Sequence, residues 1–177
     1  DPYYERIWSA LEDLEMPVHF HLGATTITRG LREQQLVASL SCDKSMMSEP
    51  IASFIFSGVL ERHPKLRVVS VESEVGWMAF FVPWMDNMYE RHRHWTNTHL
   101  AELPSFYFKR QVRGTFINDS LGVRERHTIG LSSLMWSNDY PHSDSIWPHS
   151  QDWITEHFAG IPEEEKHQIV SGNAADL

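Results

Sequence analysis

Apolar and polar positions along this chain follow two periods, one near 3.6 residues and one of 2. The switches between them divide it into four strand-then-helix units. In residues 2–15, Tyr4, Ile7, Trp8, Leu11 and Leu14 fall at helical spacing, and Pro2 suits a first turn. Met16 to Gly23 is a short apolar stretch ending in glycine and predicts the first strand. Residues 24–47 are polar and predict a long loop with a helical stretch, of the kind that covers a site. Ser48 and Pro50 open a helix with an apolar face of Ile51, Phe54, Ile55, Val59 and Leu60. It runs to Arg62 and ends at His63-Pro64. Leu66 to Glu72 is β-branched and predicts the second strand. Trp77 to Tyr89 predicts an amphipathic helix kinked at Pro83. Its stripe of Trp77, Phe80, Phe81, Trp84, Met85 and Met88 is directed to the core. After the short apolar stretch Phe106–Phe108, Gln111 to Ile117 alternates as a third strand, closed by Asn118-Asp119-Ser120. A short helix over Val123–Thr128 leads to the fourth strand, Leu134-Met135-Trp136. Further helices open at Ser150 or Asp152 and at residues 161–165, and Gly172 predicts a break before a last helical turn. Strands alternating with helices imply an α/β fold with a parallel sheet and right-handed crossovers.

Composition narrows the function classes. A length of 177 residues allows one domain with a sizeable core, and 41% apolar content with seven Trp fits a globular chain. A net charge of −9 without a basic stripe argues against nucleic acid as a partner. No apolar run is long enough for a membrane helix. The one cysteine, Cys42, excludes an internal disulfide and points to a reducing compartment, the cytoplasm. The chain begins Asp1-Pro2-Tyr3-Tyr4 without an initiator methionine, and a piece of a longer protein is expected.

Candidate chemistry gathers at the predicted strand exits. Asp139 follows the fourth strand, and Pro141 then turns the chain away. Barrels keep their catalytic acids at such exits. A carboxylate there costs free energy unless it is paired or bound to a metal. Asp139 is therefore either an ion-pair partner or a metal ligand and base. Glu72 repeats the arrangement after the second strand. His19 and His21 lie two apart on the first strand and share a face, a spacing that suits metal ligands, although a single core histidine bonded to backbone is the alternative for each. His142, three residues past Asp139, is a candidate to orient it, bind metal or contact substrate. His92, His94 and His99 read as solvated. Arg29, Arg32, Trp136 and Trp147 are candidates to line a pocket.

Five blocks in order resemble one family. They are Pro17-Val18-His19-Phe20-His21-Leu22-Gly23, Ser57 to Val69, Val71-Glu72-Ser73-Glu74-Val75-Gly76-Trp77, Met135-Trp136-Ser137-Asn138-Asp139-Tyr140-Pro141-His142, and Ser171-Gly172-Asn173-Ala174-Ala175. Together they resemble the C-terminal half of the amidohydrolase-related metal-dependent hydrolases, in the branch that includes aminocarboxymuconate-semialdehyde decarboxylase. The resemblance implies that residues 1–177 form strands five to eight of a (β/α)8 barrel, an incomplete barrel. In that family a divalent metal is held by a His-x-His pair on strand one, a His on strand five and an Asp on strand eight. The last two positions fall on His21 and Asp139. The sixth-strand catalytic histidine position falls on Glu72. The first-strand pair has no counterpart here, since His92/His94 follows a helix.

The activity implied is that of a metal-dependent hydrolase or decarboxylase acting on a small carboxylated or carbonyl substrate through a metal-activated water. Zinc is expected ahead of manganese. The catalytic residues implied are Asp139 and Glu72, the metal ligands His21 and Asp139, with His19 and His142 as further candidates. A rival class is a metal-free, catalytically silent α/β fragment whose acids serve folding or assembly. Four strands leave two open sheet edges, so a homo-oligomer is expected.

Overall fold

The structure, a computed structural model, describes residues 2–21 and 33–177. The expectations for Leu22, Gly23 and the loop 24–32, with Arg29 and Arg32, lie outside the described residues. The elements run in the order α1 (Glu5–Asp13), β1 (Val18–His21), α2 (Glu33–Asp43), α3 (Ser48–Phe56), α4 (Val59–Arg62) and β2 (Val68–Val71). They continue with α5 (Met78–Thr96), α6 (Pro104–Gln111), β3 (Val112–Phe116), α7 (Ser120–Arg124), α8 (Arg126–Ile129), β4 (Leu134–Trp136), α9 (Ser150–His157), α10 (Glu163–His167) and α11 (Asn173–Ala175).

The strands form one parallel sheet in the order β1-β2-β3-β4. Val18 is level with Val68, Val68 with Val112, and Gly114 with Leu134. Partners at one level point the same way. Val68, Val112, Phe116 and Leu134 therefore face the helices, where they join Ile51, Ile55, Met78, Val82, Phe108 and Ile154 in the core. Phe20 packs on Phe54 of α3 from the same side. The alternate positions, His19, His21, Val69, Arg113, Thr115 and Met135, share the opposite face. This is the parity of a barrel wall, with helices outside and the functional face inside. α1, at the β1 end, buries no residue fully, and Tyr3, Tyr4, Ile7, Leu14 and Met16 remain exposed.

Four local expectations are corrected, and the short apolar stretch Phe106–Phe108 gains an element. The helix expected over residues 48–62 is two helices, because Gly58 is left-handed (φ 73°) and ends the first. The helix over Trp77–Tyr89 continues through Pro83, in its second turn, to Thr96. Only part of its aromatic stripe enters the core. Met78, Val82, Met85 and Tyr89 are buried, whereas Phe80 and Trp84 stack on each other at the surface, centroids 5.5 Å apart. Phe106-Tyr107-Phe108 lies in a helix begun by Pro104 that buries Tyr107, Phe108 and Gln111 at i, i+1 and i+4. The chain does not break at Gly172. α10 passes through a π-turn, Gln168–Gly172, into α11. Buried Asn173 there donates from Nδ2 to the carbonyls of Leu131 (2.8 Å) and Leu134 (2.7 Å), tying the last helical turn to β4.

α1 is fastened by a histidine set between two acids. Buried His63 lies 3.1 Å from Glu5 Oε2 through Nε2 and 3.1 Å from Glu12 Oε2 through Nδ1. Arg62 also reaches Glu5, and the Lys65 amide donates to Glu12 Oε1 (2.7 Å). The Arg62 and His63 hydrogen bonds hold the Glu5 carboxyl down at about 2, from an ordinary 4.5. Burial pushes the Glu12 carboxyl up, but the Lys65 amide and His63 leave it below its usual value. Carboxyls depressed in the folded state stabilise fully above their unfolded value and lose that contribution as they protonate. The docking of α1 is therefore expected to loosen as pH falls from about 4.5 toward about 2. Amide exchange of residues 5–13 across that range measures it, and exchange that stays flat would refute it.

Candidate metal centre

The carboxyl ends of β2 and β4 deliver the acids. β2 stops at Val71, and Glu72 takes a left-handed backbone (φ 57°), its amide donating to Thr115 Oγ1 on β3 (2.9 Å). β4 stops at Trp136, the Ser137 amide donates to the Phe116 carbonyl (2.8 Å), and Asp139 is again left-handed (φ 55°). A left-handed backbone on a residue with a side chain costs of order 1 kcal/mol, so the surrounding structure must hold both turns. After Asp139 the chain doubles back, and the His142 amide donates to the Asp139 carbonyl (2.9 Å). That turn brings His142 over the acid.

Ligand atoms of Glu72, Asp139 and His142 all lie within 4.8 Å of one another. His142 Nδ1 is 3.2 Å from Asp139 Oδ2 and 3.9 Å from Glu72 Oε1. His21 touches the same carboxylate, with Nε2 3.0 Å from Glu72 Oε1. The structure thus brings Glu72, Asp139 and His142 into one cluster with His21 against Glu72. His19 shares the exposed face of β1 with His21 and makes no described hydrogen bond or ion pair to the cluster. Trp147 is exposed and packs on Tyr140, 4.8 Å between centroids, rather than on the acids.

The donor set fits a divalent cation. Glu72 and Asp139 keep only 19% and 15% of their side chains exposed, yet carry like charge within 4.8 Å. Among the described residues, the side-chain partners of the two carboxylates are imidazoles alone. Such a pair repels unless a positive charge lies between the oxygens. Carboxylate oxygen and imidazole nitrogen are ligands for zinc and manganese alike.

Behind the cluster lies a brace that sequence reasoning missed. Asp119 Oδ2 accepts from the amides of Val75 (2.7 Å) and Gly76, and Oδ1 from Gly122 (2.8 Å), where it also caps α7. Glu74, left-handed at φ 54°, accepts from the Ile117 amide (3.1 Å). Burial pushes its carboxyl above the usual range, and the Asp119 charge adds to that. The two acids lace the exit of β2 to the exit of β3. The sequence signal was present at Asp119, an N-cap type with glycine three residues on. Glu74 carried none beyond its neighbour Glu72.

The family described as Amidohydrolase matches residues 1–177. No protein of curated function matches the sequence. Among solved structures the chain is similar to 5-carboxyvanillate decarboxylase from Sphingomonas paucimobilis, at 24% identity and TM-score 0.81, over 99% of this chain and 53% of that one. It is similar to an amidohydrolase from Mycobacterium avium subsp. paratuberculosis K-10, at 22% and 0.78, over 99% and 45%. It also resembles a dihydroxybenzoic acid decarboxylase from Polaromonas sp. JS666 with bound manganese and 2-nitroresorcinol, at 14% and 0.69, over 98% and 52%. The chain spans about half the length of these proteins, in agreement with a parallel sheet that forms part of a barrel.

Proposed function

We propose that this chain, which belongs to the amidohydrolase family over its whole length, is the C-terminal portion of a metal-dependent decarboxylase or hydrolase acting on a small carboxylated or carbonyl substrate. The observation that carries this reading is the pair of mostly buried carboxylates, Glu72 and Asp139, within 4.8 Å and, among the described residues, matched by imidazoles. Asp139, Glu72 and His142 would hold the cation, with His21 beside Glu72 as a further ligand. Two carboxylates in the innermost group favour manganese, and zinc is the alternative suited to the imidazoles. Bound there, a divalent cation supplies Lewis acidity, polarising a substrate oxygen and acidifying water.

The chain's own groups move the protons. For hydrolysis, Asp139 takes the proton of the attacking water and His142, in contact with it, passes a proton to the leaving group. For decarboxylation, the carbon–carboxylate bond breaks, CO2 leaves, and the electron pair left on carbon takes a proton from His142. In either case His142, with 64% of its side chain exposed, is the group that reaches outward from the acids. A free, exposed Cys42 agrees with a reducing compartment such as the cytoplasm.

Chain purified from manganese-supplemented cells is expected to hold near-stoichiometric metal by mass spectrometry, and His21→Ala and Asp139→Ala to lose it. With carboxylated phenols as probes, CO2 release identifies the decarboxylase and its absence alongside ester or amide cleavage the hydrolase. No metal at saturating manganese and zinc would instead establish the silent-fragment reading. Among the described residues the sheet ends at β1 and β4, and such edges favour a dimer of this chain; a monomer by light scattering would count against that.

A further inference from the structure

We propose that Lys44 is a positioning residue that fastens the two acid-bearing strand exits to each other; this rests on reading Glu72 and Asp139 as metal ligands. Lys44 opens the 3-10 turn Lys44–Met47 that follows α2, far from either acid in sequence. Its side chain is three-quarters covered. Nζ donates to the backbone carbonyl of Glu72 at 3.0 Å and to Asp144 Oδ2 at 3.3 Å. One ammonium thus bridges the segment after β2 and the segment after β4.

Each end of the bridge bears on a ligand. At the first, the Glu72 residue is held on both sides. Its amide is bound to Thr115 and its carbonyl to Lys44, and between them the backbone sits at φ 57°. A left-handed glutamate persists only where its surroundings over-determine it, and these two bonds do so. At the second, Asp144 belongs to a run of consecutive turns. His142 donates to the Asp139 carbonyl, and Ser145 to the His142 carbonyl at 3.1 Å. A hold on Asp144 is therefore a hold on His142 and Asp139.

Lys44 does not touch the carboxylate of Glu72 or of Asp139. It fixes their backbones without neutralising the charge that a cation needs. A lysine paired directly with those oxygens would compete with metal; one bonded to a carbonyl and to the outlying Asp144 does not. An ammonium suits the task because its donors spread tetrahedrally toward two unrelated acceptors, where a planar guanidinium would favour one. Asp144 is 63% exposed, so the pair adds little to global stability and its effect is local.

The test uses Lys44→Met and Asp144→Asn in the full chain, with amide exchange and Mn2+ titration as readouts. Lys44→Met is expected to speed exchange in residues 69–76 and 137–149, and Asp144→Asn in 137–149 only, with the thermal midpoint held within a few degrees. Apparent Mn2+ affinity should fall about 10-fold in Lys44→Met, the range for groups that orient metal ligands. The double variant should match Lys44→Met rather than the sum of the two. Unchanged exchange in both segments, or acceleration spread evenly over the chain, overturns the proposal. Faster local exchange with unchanged Mn2+ affinity overturns the positioning role. Wild-type chain that binds no Mn2+ sinks the metal-ligand reading separately, and the fastening is then decided by exchange alone.

Discussion

Asp139→Asn is expected to weaken Mn2+ binding by more than about 100-fold while leaving the fold intact. Groups that merely orient a metal ligand are worth about 10- to 100-fold in affinity, and Asp139 is placed as a ligand itself. The substitution keeps size and shape and removes the charge. The amide offers one neutral oxygen where the carboxylate offers two that share a negative charge. It also exchanges the charged partner of His142 Nδ1, 3.2 Å away, for a neutral amide, so the imidazole is held less firmly. Stability should change little, because the described side-chain partner of Asp139 is an exposed histidine. Relief of repulsion against Glu72 acts in the stabilising direction. Calorimetric titration with Mn2+, alongside thermal unfolding, separates the two effects. Affinity within a few-fold of wild type would remove Asp139 from the centre. Any metal-dependent CO2 release or hydrolysis should disappear in the same variant.

The second large effect is on stability. Asp119→Ala is expected to cost about 3 kcal/mol, since three backbone amides, those of Val75, Gly76 and Gly122, lose one acceptor side chain at once. Each buried donor left unsatisfied costs about 1–3 kcal/mol, and water entering the vacated space recovers part of it. The segment after β2 cannot simply shift to find new partners. A β-carbon placed on Gly76 would stand 2.7 Å from Asp119 Oδ1 and 3.2 Å from Leu121 Cβ, so these loops already touch backbone to side chain. In a chain of this length, about 3 kcal/mol lowers the thermal midpoint by about 6–12 °C. Asp119→Asn retains one acceptor oxygen and should fall between wild type and alanine. A loss below about 1 kcal/mol for alanine would show that other groups hold these turns. Because the same segment carries Glu72, Mn2+ affinity should fall as well, in contrast to Asp139→Asn, where affinity falls and stability does not.

Much of this protein was readable without coordinates. Local spacing identified four strands close to their observed positions, Val68 to Val71 as a β-branched run and Val112 to Phe116 as an alternating one with a single face to bury. It also identified both strand-exit acids, since a charge within three residues of the end of an apolar run, with glycine or proline soon after, is a local signal. Where patterns were short or overlapped, locality did not decide. Phe106-Tyr107-Phe108 is too short an apolar stretch to name an element by itself, and it is helical because Pro104 starts a helix that buries Tyr107, Phe108 and Gln111. α5 offers two apolar stripes at helical spacing. Packing chose the one with Met78, Val82 and Met85 and left Phe80 and Trp84 outside.

By itself the sequence determined the alternation of strand and helix, the parallel sense it entails, and which residues stand at strand ends. These depend on neighbours one to four positions apart, and side-chain direction over that distance follows from backbone geometry alone. Only the tertiary structure decided that Glu72 meets Asp139, that Asp119 reaches the amides of Val75 and Gly76, and that Lys44 spans both exits. Those contacts join residues dozens of positions apart. They exist because strand register sets Val71, Phe116 and Trp136 near one height in the sheet, a relation that no local spacing encodes.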